Sequence, residues 1–585
     1  MIALNWPIRF RFLLRRGPGE SISAALPVFI LTTLFLIAFE IPALNAQVGD
    51  KADHEPTARE SWLHSVTTYK YGNARTGQNT QETTLTPLNV NVRQFGKLFS
   101  VPVDGSVYAQ ILYVSHLDNI AGGTHNVLFA VTENDSLYAI DAADGSILWR
   151  QSFVDVKNGI LPVDTADVDC KDIAPEIGIT STPVIDLTTK TIYLVTKSKE
   201  KGSFVQRLHA LDLGTHAEKF GGPVVIAATV KGNGIGSRNG QITFNPLRQL
   251  NRPGLLLQNG HIVIAWGSHC DVKPYHGWIM SYNASSLKQE AVFSTTSNGD
   301  EGGVWMSGDG VASDANGNLF FATGNGTYDG AVAGDYGDSI LKLELGTNGQ
   351  LRLADWFTPF NQETLNDEDL DLGSGGVLLL PDLPPGYKHQ HELIQMGKGA
   401  LKNVGGGGTI YLIDRDDLGK YCAGCSRDTQ IVQEISGASD GIWGSPAYWN
   451  GFVYWGGGSH FTKLDSVKAW SFNSDGRGLL SASPTSITSE TFSYPTLNPV
   501  ISANGNNDGL LWLVANSTNQ RDGAQILYAY DALNLQRMLY NSNQAANGRD
   551  RAGGVTKFVV PTVVNGRVYV GGDGSITVFG LLGSR

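Results

Sequence analysis

The sequence has few charges, few cysteines and almost no long amphipathic helical pattern. Only 17% of its 585 residues are Asp, Glu, Lys or Arg, and the formal net charge is −12. Phosphate binding needs clustered Lys and Arg, and no RNA- or DNA-reading motif appears, so a nucleic-acid partner is excluded. Scarce helical periodicity argues against an α-rich fold. The 70 glycines point instead to many strands and tight turns. The four cysteines are Cys170, Cys270, Cys422 and Cys425. No second CxxC completes a metal site beside Cys422-Ala-Gly-Cys425, and Ser426 stands where covalent haem attachment needs His. This pair is read as a local disulfide or as free thiols.

The N-terminal 46 residues read as a targeting segment: Arg9, Arg11, Arg15 and Arg16 precede an apolar run over 24–39, and Ala43 or Ala46 suits a cleavage site. The run is long for a signal peptide and short for a relaxed membrane span, so cleaved signal and uncleaved anchor both stand. Either places the protein outside the cytoplasm, periplasmic or secreted, with membrane contact only through an anchor. Export also makes disulfides expected. Residues 47–94 are a polar, Gly-containing lead-in, and 95–583 form one domain.

What is abundant is repetition. Leu137-Tyr138-Ala139-Ile140-Asp141 returns in altered form as Leu208-His209-Ala210-Leu211-Asp212, Ile279-Met280-Ser281-Tyr282-Asn283, Ile410-Tyr411-Leu412-Ile413-Asp414 and Leu527-Tyr528-Ala529-Tyr530-Asp531. Each is an alternating strand ending in an Asx turn. Four-strand sets fall at 106–153, 178–230, 248–297, 306–359, 371–436, 443–488 and 494–541. The last set has only three strands, at 560–565, 567–572 and 575–579, while a spare strand waits at 96–103. Pairing 96–103 with 575–579 closes a ring without free edges, which makes an all-β, eight-bladed β-propeller. Seven blades with one insertion is the alternative count.

Ala139-x-Asp141-x-x-Asp144-Gly145-x-x-x-Trp149 resembles the tryptophan-docking repeat of the quinoprotein (PQQ-like) alcohol dehydrogenase-like propellers, with Asp144 where Thr is usual. Phe220 takes the Trp place after Ala210-x-Asp212-x-x-Thr215, and Leu539 after Ala529-x-Asp531. Asn79-Thr80-Gln81-Glu82-Thr83, Ser268-His269-Cys270 and Tyr275-His276-Gly277-Trp278 are similar to secreted bacterial PQQ-like repeat proteins. The resemblance implies a fold in which the outer-strand Trp packs on the next blade. For the dehydrogenases of that family it also implies PQQ, a Ca²⁺ held by carboxylate and amide oxygens, an Asp base and an Arg near the quinone. The chain departs from those enzymes in lacking a vicinal Cys pair and a CxxCH cytochrome.

In four-stranded blades, the loops joining strands two and three share a face with those leading to the next blade. Here they carry His269, His276, Glu301, Trp305, Lys398, Trp443 and His460, whereas the other face has short turns such as Asn259-Gly260. That asymmetry places a ligand site at one mouth of the channel. Trp305 and Trp443 offer ring faces, and Glu301, Asn325 and Asp371 offer oxygens to Ca²⁺. His269, Asp271 and His276 have donors for a metal such as Zn²⁺, while a His in a Gly- and Tyr-rich loop more often caps backbone groups. Cys170 and Cys270, in same-face loops of neighbouring sets, are expected to be bonded. Three functions follow: a binding or scaffold propeller for a protein, peptide or glycan; a PQQ- and Ca²⁺-dependent dehydrogenase of alcohols or sugars; and a carbohydrate-active hydrolase or lyase.

Overall fold

The computed structural model describes residues 64–330, 332–398, 408–458, 464–495, 497–517 and 523–583. The targeting segment and His460 lie outside them. Eight antiparallel sheets form a ring, an eight-bladed β-propeller. The innermost strands, blades 1 to 8, are Leu112–Ile120, Val184–Asp186, Leu256–Gln258, Ala312–Ser313, Leu378–Leu379, Ala447–Trp449, Val500–Asn504 and Thr562–Val564. In blades 1 to 7 three further strands follow outward in chain order.

Blade 8 is composite. Arg567–Leu581 pairs with Thr562–Val564 on one side and with the N-terminal strand Phe95–Ser106 on the other. Lys97 faces Phe579 and Pro102 faces Ser575, so the closure read from the sequence is present.

Each sheet is hydrophobic on both faces because each face packs on a neighbour. Leu112, Phe129 and Ala139 of blade 1 share one buried cluster with Ile185, Leu194 and Leu211 of blade 2. Val500 and Trp512 of blade 7 share another with Val563 and Phe579 of blade 8. The outer-strand Trp149 makes the expected crossing, donating its indole N–H to the Leu213 carbonyl of blade 2 at 3.1 Å. On the face with short turns, Asn259 and Gly260 both have positive φ, 50° and 81°, as a two-residue hairpin turn requires.

Cys170 and Cys270 are bonded, with Cα atoms 6.0 Å apart, and tie the connection between blades 1 and 2 to a loop of blade 3. Cys422 and Cys425 are bonded locally. The lead-in departs from a solvated loop. Its residues from Val66 to Gly77 run inside the channel, where Lys70 and Arg75 are fully buried. Among the described residues no helix is long and apolar enough to cross a membrane.

Candidate functional site

A cavity of about 250 Å³ opens on the loop-rich face. All seven connections between consecutive blades contribute to its lining, from Asp172 between blades 1 and 2 to Phe558 between blades 7 and 8. Only a cavity on the ring axis can be reached from so many blades.

One wall is built around Trp305. Its indole N–H donates to the Ser268 carbonyl at 2.9 Å, and Tyr275 meets it edge-on with centroids 5.9 Å apart. The ring lies in a glycine cradle: a Cβ at Gly267, Gly303 or Gly324 would come within 2.6, 2.8 or 2.5 Å of it. Side chains at these positions would push Trp305 out of the wall.

Beside it, Asp371 Oδ1 accepts the Asn325 backbone N–H at 2.7 Å, and its Oδ2 pairs with Lys398 Nζ at 2.6 Å. Lys398 also donates to Asp369 at 2.7 Å and stands 5.6 Å from the Trp443 ring centroid. Burial alone would lower the Lys398 pKa, but Asp371 and Asp369 hold it above the ordinary lysine value. The Asp271 carboxyl is pushed up to about 6, by burial first and then by the Asp371 charge, and its Oδ1 accepts the Tyr275 hydroxyl at 3.0 Å. Asn325 Oδ1 is buried without a hydrogen-bond partner among the described residues.

The cavity lining also carries Arg252, which sequence reasoning did not single out. Its residue surface is 5% exposed, and its Nη2 has no hydrogen-bond partner among the described residues. The guanidinium lies 4.6 Å from the Phe558 centroid and only 3.9 Å, a long ion pair, from Asp172. Asp172 is bonded instead to Lys557 Nζ at 2.5 Å. The sole sequence signal was position: Arg252 sits in a connection to an inner strand, the same class of loop that supplies Trp305 and Trp443.

Not every expected site residue reaches the cavity. His269 turns inward, its Nε2 2.5 Å from Lys197 Nζ. His276 is buried between two carbonyls, Thr296 O at Nδ1 and Ile235 O at Nε2, each at 2.9 Å. Glu301 pairs with Lys273 at 2.7 Å. His269, Asp271 and His276 therefore face three different partners rather than one shared Zn²⁺ position, and His276 caps backbone carbonyls. Among the described residues no three His, Cys, Asp or Glu side chains gather as a metal site.

No protein-family model and no curated protein matches the chain. Solved structures do. The quinohemoprotein alcohol dehydrogenase ADHIIG from Pseudomonas putida HK5 is 13% identical, with 90% of this chain and 81% of that chain covered at a TM-score of 0.55. A quinohemoprotein alcohol dehydrogenase from Comamonas testosteroni is 15% identical, covering 89% and 81% at 0.55. A europium-containing methanol dehydrogenase is 12% identical, covering 89% and 98% at 0.56. At such identities the likeness concerns the fold: this chain has the eight-bladed PQQ-like propeller fold of the quinoprotein alcohol dehydrogenases.

Proposed function

We propose that the propeller binds a compact, flat, anionic ring ligand in the axial cavity, and that a quinone cofactor of an alcohol- or sugar-oxidising enzyme is the occupant these groups fit best. The observation that carries this reading is the orphaned Arg252 Nη2. A buried guanidinium N–H without an acceptor costs about 1–3 kcal/mol or more, and a ligand carboxylate or carbonyl would relieve that cost. Trp305 and Trp443 add ring faces. A cavity of about 250 Å³ suits such a ligand better than a protein or peptide surface does.

PQQ, the cofactor that the family resemblance implies, passes this test of fit through Arg252 and the two Trp rings. When bound, a quinone takes two electrons from an alcohol or sugar carbon. The chain's own groups would then act around it. Arg252 would hold an anionic oxygen and Lys398 would donate to another. Asp271, whose Oδ1 is taken by Tyr275, would accept the substrate hydroxyl proton on its other oxygen.

Calcium fits less well. Of the expected trio, Glu301 is held by Lys273 and both Asp371 oxygens are engaged, leaving only Asn325 Oδ1 unpartnered. Lys398 supplies the positive charge at that end, so no step is assigned to a metal. Exported localisation agrees with the two disulfides.

The test is to mix the purified protein with PQQ, with and without Ca²⁺, and to follow quinone absorbance and dye-linked alcohol oxidation. Absorbance that co-purifies with the protein, plus activity, supports the enzyme reading. Absorbance without activity leaves a binding propeller, and absence of both contradicts the ligand assignment.

A further inference from the structure

We infer that residues 64–82 are a channel plug that locks all eight blades and forms the floor beneath the cavity. The segment behaves as a strand shared by the whole ring. Its carbonyls at Val66, Thr67, Asn73, Ala74, Thr76 and Gly77 accept the backbone N–H groups of Tyr113, Ile185, Ser313, Leu379, Tyr448 and Ile501, one on the inner strand of each of blades 1, 2, 4, 5, 6 and 7, at 2.8–3.0 Å. The remaining two blades are reached by side chains. Asn73 Nδ2 donates to the Leu257 carbonyl of blade 3 at 3.0 Å. The Tyr71 hydroxyl accepts the Val563 N–H of blade 8 at 2.7 Å.

Two buried cations complete the lock. Lys70 Nζ donates to three carbonyls, Ser445 at 3.4 Å, Pro446 at 3.1 Å and Pro499 at 2.5 Å, joining blades 6 and 7. Arg75 donates to the Val311 carbonyl at 2.9 Å and the Leu255 carbonyl at 3.5 Å, joining blades 3 and 4. Its Nη1 turns back to Thr68 Oγ1 at 2.8 Å and the Tyr69 carbonyl at 3.0 Å. Without the segment, these inner-strand carbonyls and amides would line an open channel.

The plug also touches the cavity's supports. Two residues past Arg252 of the cavity wall, a Cβ at Gly254 would come within 3.2 Å of Tyr69, and one at Gly310 would fall 2.4 Å from Arg75. The Tyr69 hydroxyl is 3.1 Å from Ser445 Oγ, two residues past Trp443. The segment is thus a second closure of the ring, separate from the strand Phe95–Ser106 that completes blade 8.

Amide hydrogen exchange on the full chain tests this without any ligand, and so independently of the proposed function. The amides of Ile185, Ser313, Leu379, Tyr448 and Ile501 should exchange together, as slowly as central-strand amides. Arg75→Met should accelerate all five by about tenfold or more, the scale of losing buried charge-assisted hydrogen bonds. Thr68→Ala, which removes one Arg75 partner and keeps the rest, should show the same pattern at a smaller factor and serves if the first variant fails to fold. Wild-type exchange at these amides as fast as in surface turns, or acceleration confined to blades 3 and 4 in the folded variant, overturns the inference.

Discussion

Arg75 and Arg252 are both buried guanidinium groups near the ring axis, and they are used in opposite ways. Arg75, in the channel, makes five hydrogen bonds to Val311, Leu255, Thr68 and Tyr69. Arg252, in the cavity wall, has an orphaned Nη2, a distant carboxylate and an aromatic face. The difference separates structural charge from ligand-ready charge. A satisfied buried cation has been compensated by its own fold, whereas under the proposed function the Arg252 Nη2 is compensated by the ligand.

The largest expected effect breaks the structural member of the pair. Arg75→Met leaves carbonyls of blades 3 and 4 without donors, and Asp309 with Lys70 alone as an opposing charge. A loss of about 3–5 kcal/mol in denaturant unfolding is expected, as for breaking a buried charged pair. Arg252→Met should do the reverse, leaving the melting temperature of the ligand-free protein unchanged or raised, because an under-compensated charge is replaced by an apolar side chain.

Asp309 sharpens the comparison through pH. Burial raises its carboxyl to about 7, against the opposing charges of Arg75 and Lys70. The folded state therefore binds more protons than the unfolded state between pH of about 4 and 7, so this contribution is full below about 4 and is lost as pH rises through 7. Asp309→Asn should flatten stability across that window. An unchanged slope in paired urea titrations would remove Asp309 from the channel's electrostatics.

Smaller effects separate residues that sequence position groups together. His276→Ala should lower the melting temperature, since the ring is buried between two carbonyls, and should leave ligand affinity nearly unchanged. Glu301→Gln should alter both only slightly, because its partner Lys273 keeps Asp300 at 2.8 Å. Thermal melts beside PQQ titrations distinguish these outcomes.

The ring was legible in the sequence because the alternating strand and its Asx turn recur in altered form in five of the blades, and because the C-terminal strands lacked an outer partner that 96–103 could supply. The side of the ring holding the cavity was legible from loop length, which placed Trp305, Trp443, Asp371 and Lys398 around one mouth. Side-chain direction was not. His269 and His276 sit in the right loops but turn toward Lys197 and backbone carbonyls; the Gly- and Tyr-rich loop suggested backbone capping for such a His but not which partner it would take. The plug was missed for a related reason: a polar segment with Lys70 and Arg75 reads as solvated until its hydrogen-bond partners, hundreds of residues away, are known. Arg252 was hidden just ahead of an inner strand, where a single Arg looks like surface.

The central claim is tested most directly by equilibrium titration of PQQ into the wild-type protein and Arg252→Met, following Trp fluorescence without added metal. Saturable quenching in the wild type, weakened about tenfold or more in a variant that melts no lower, is the predicted result, in line with losing a charge-assisted hydrogen bond. Equal affinity in the two proteins, or no saturable quenching in either, would contradict it.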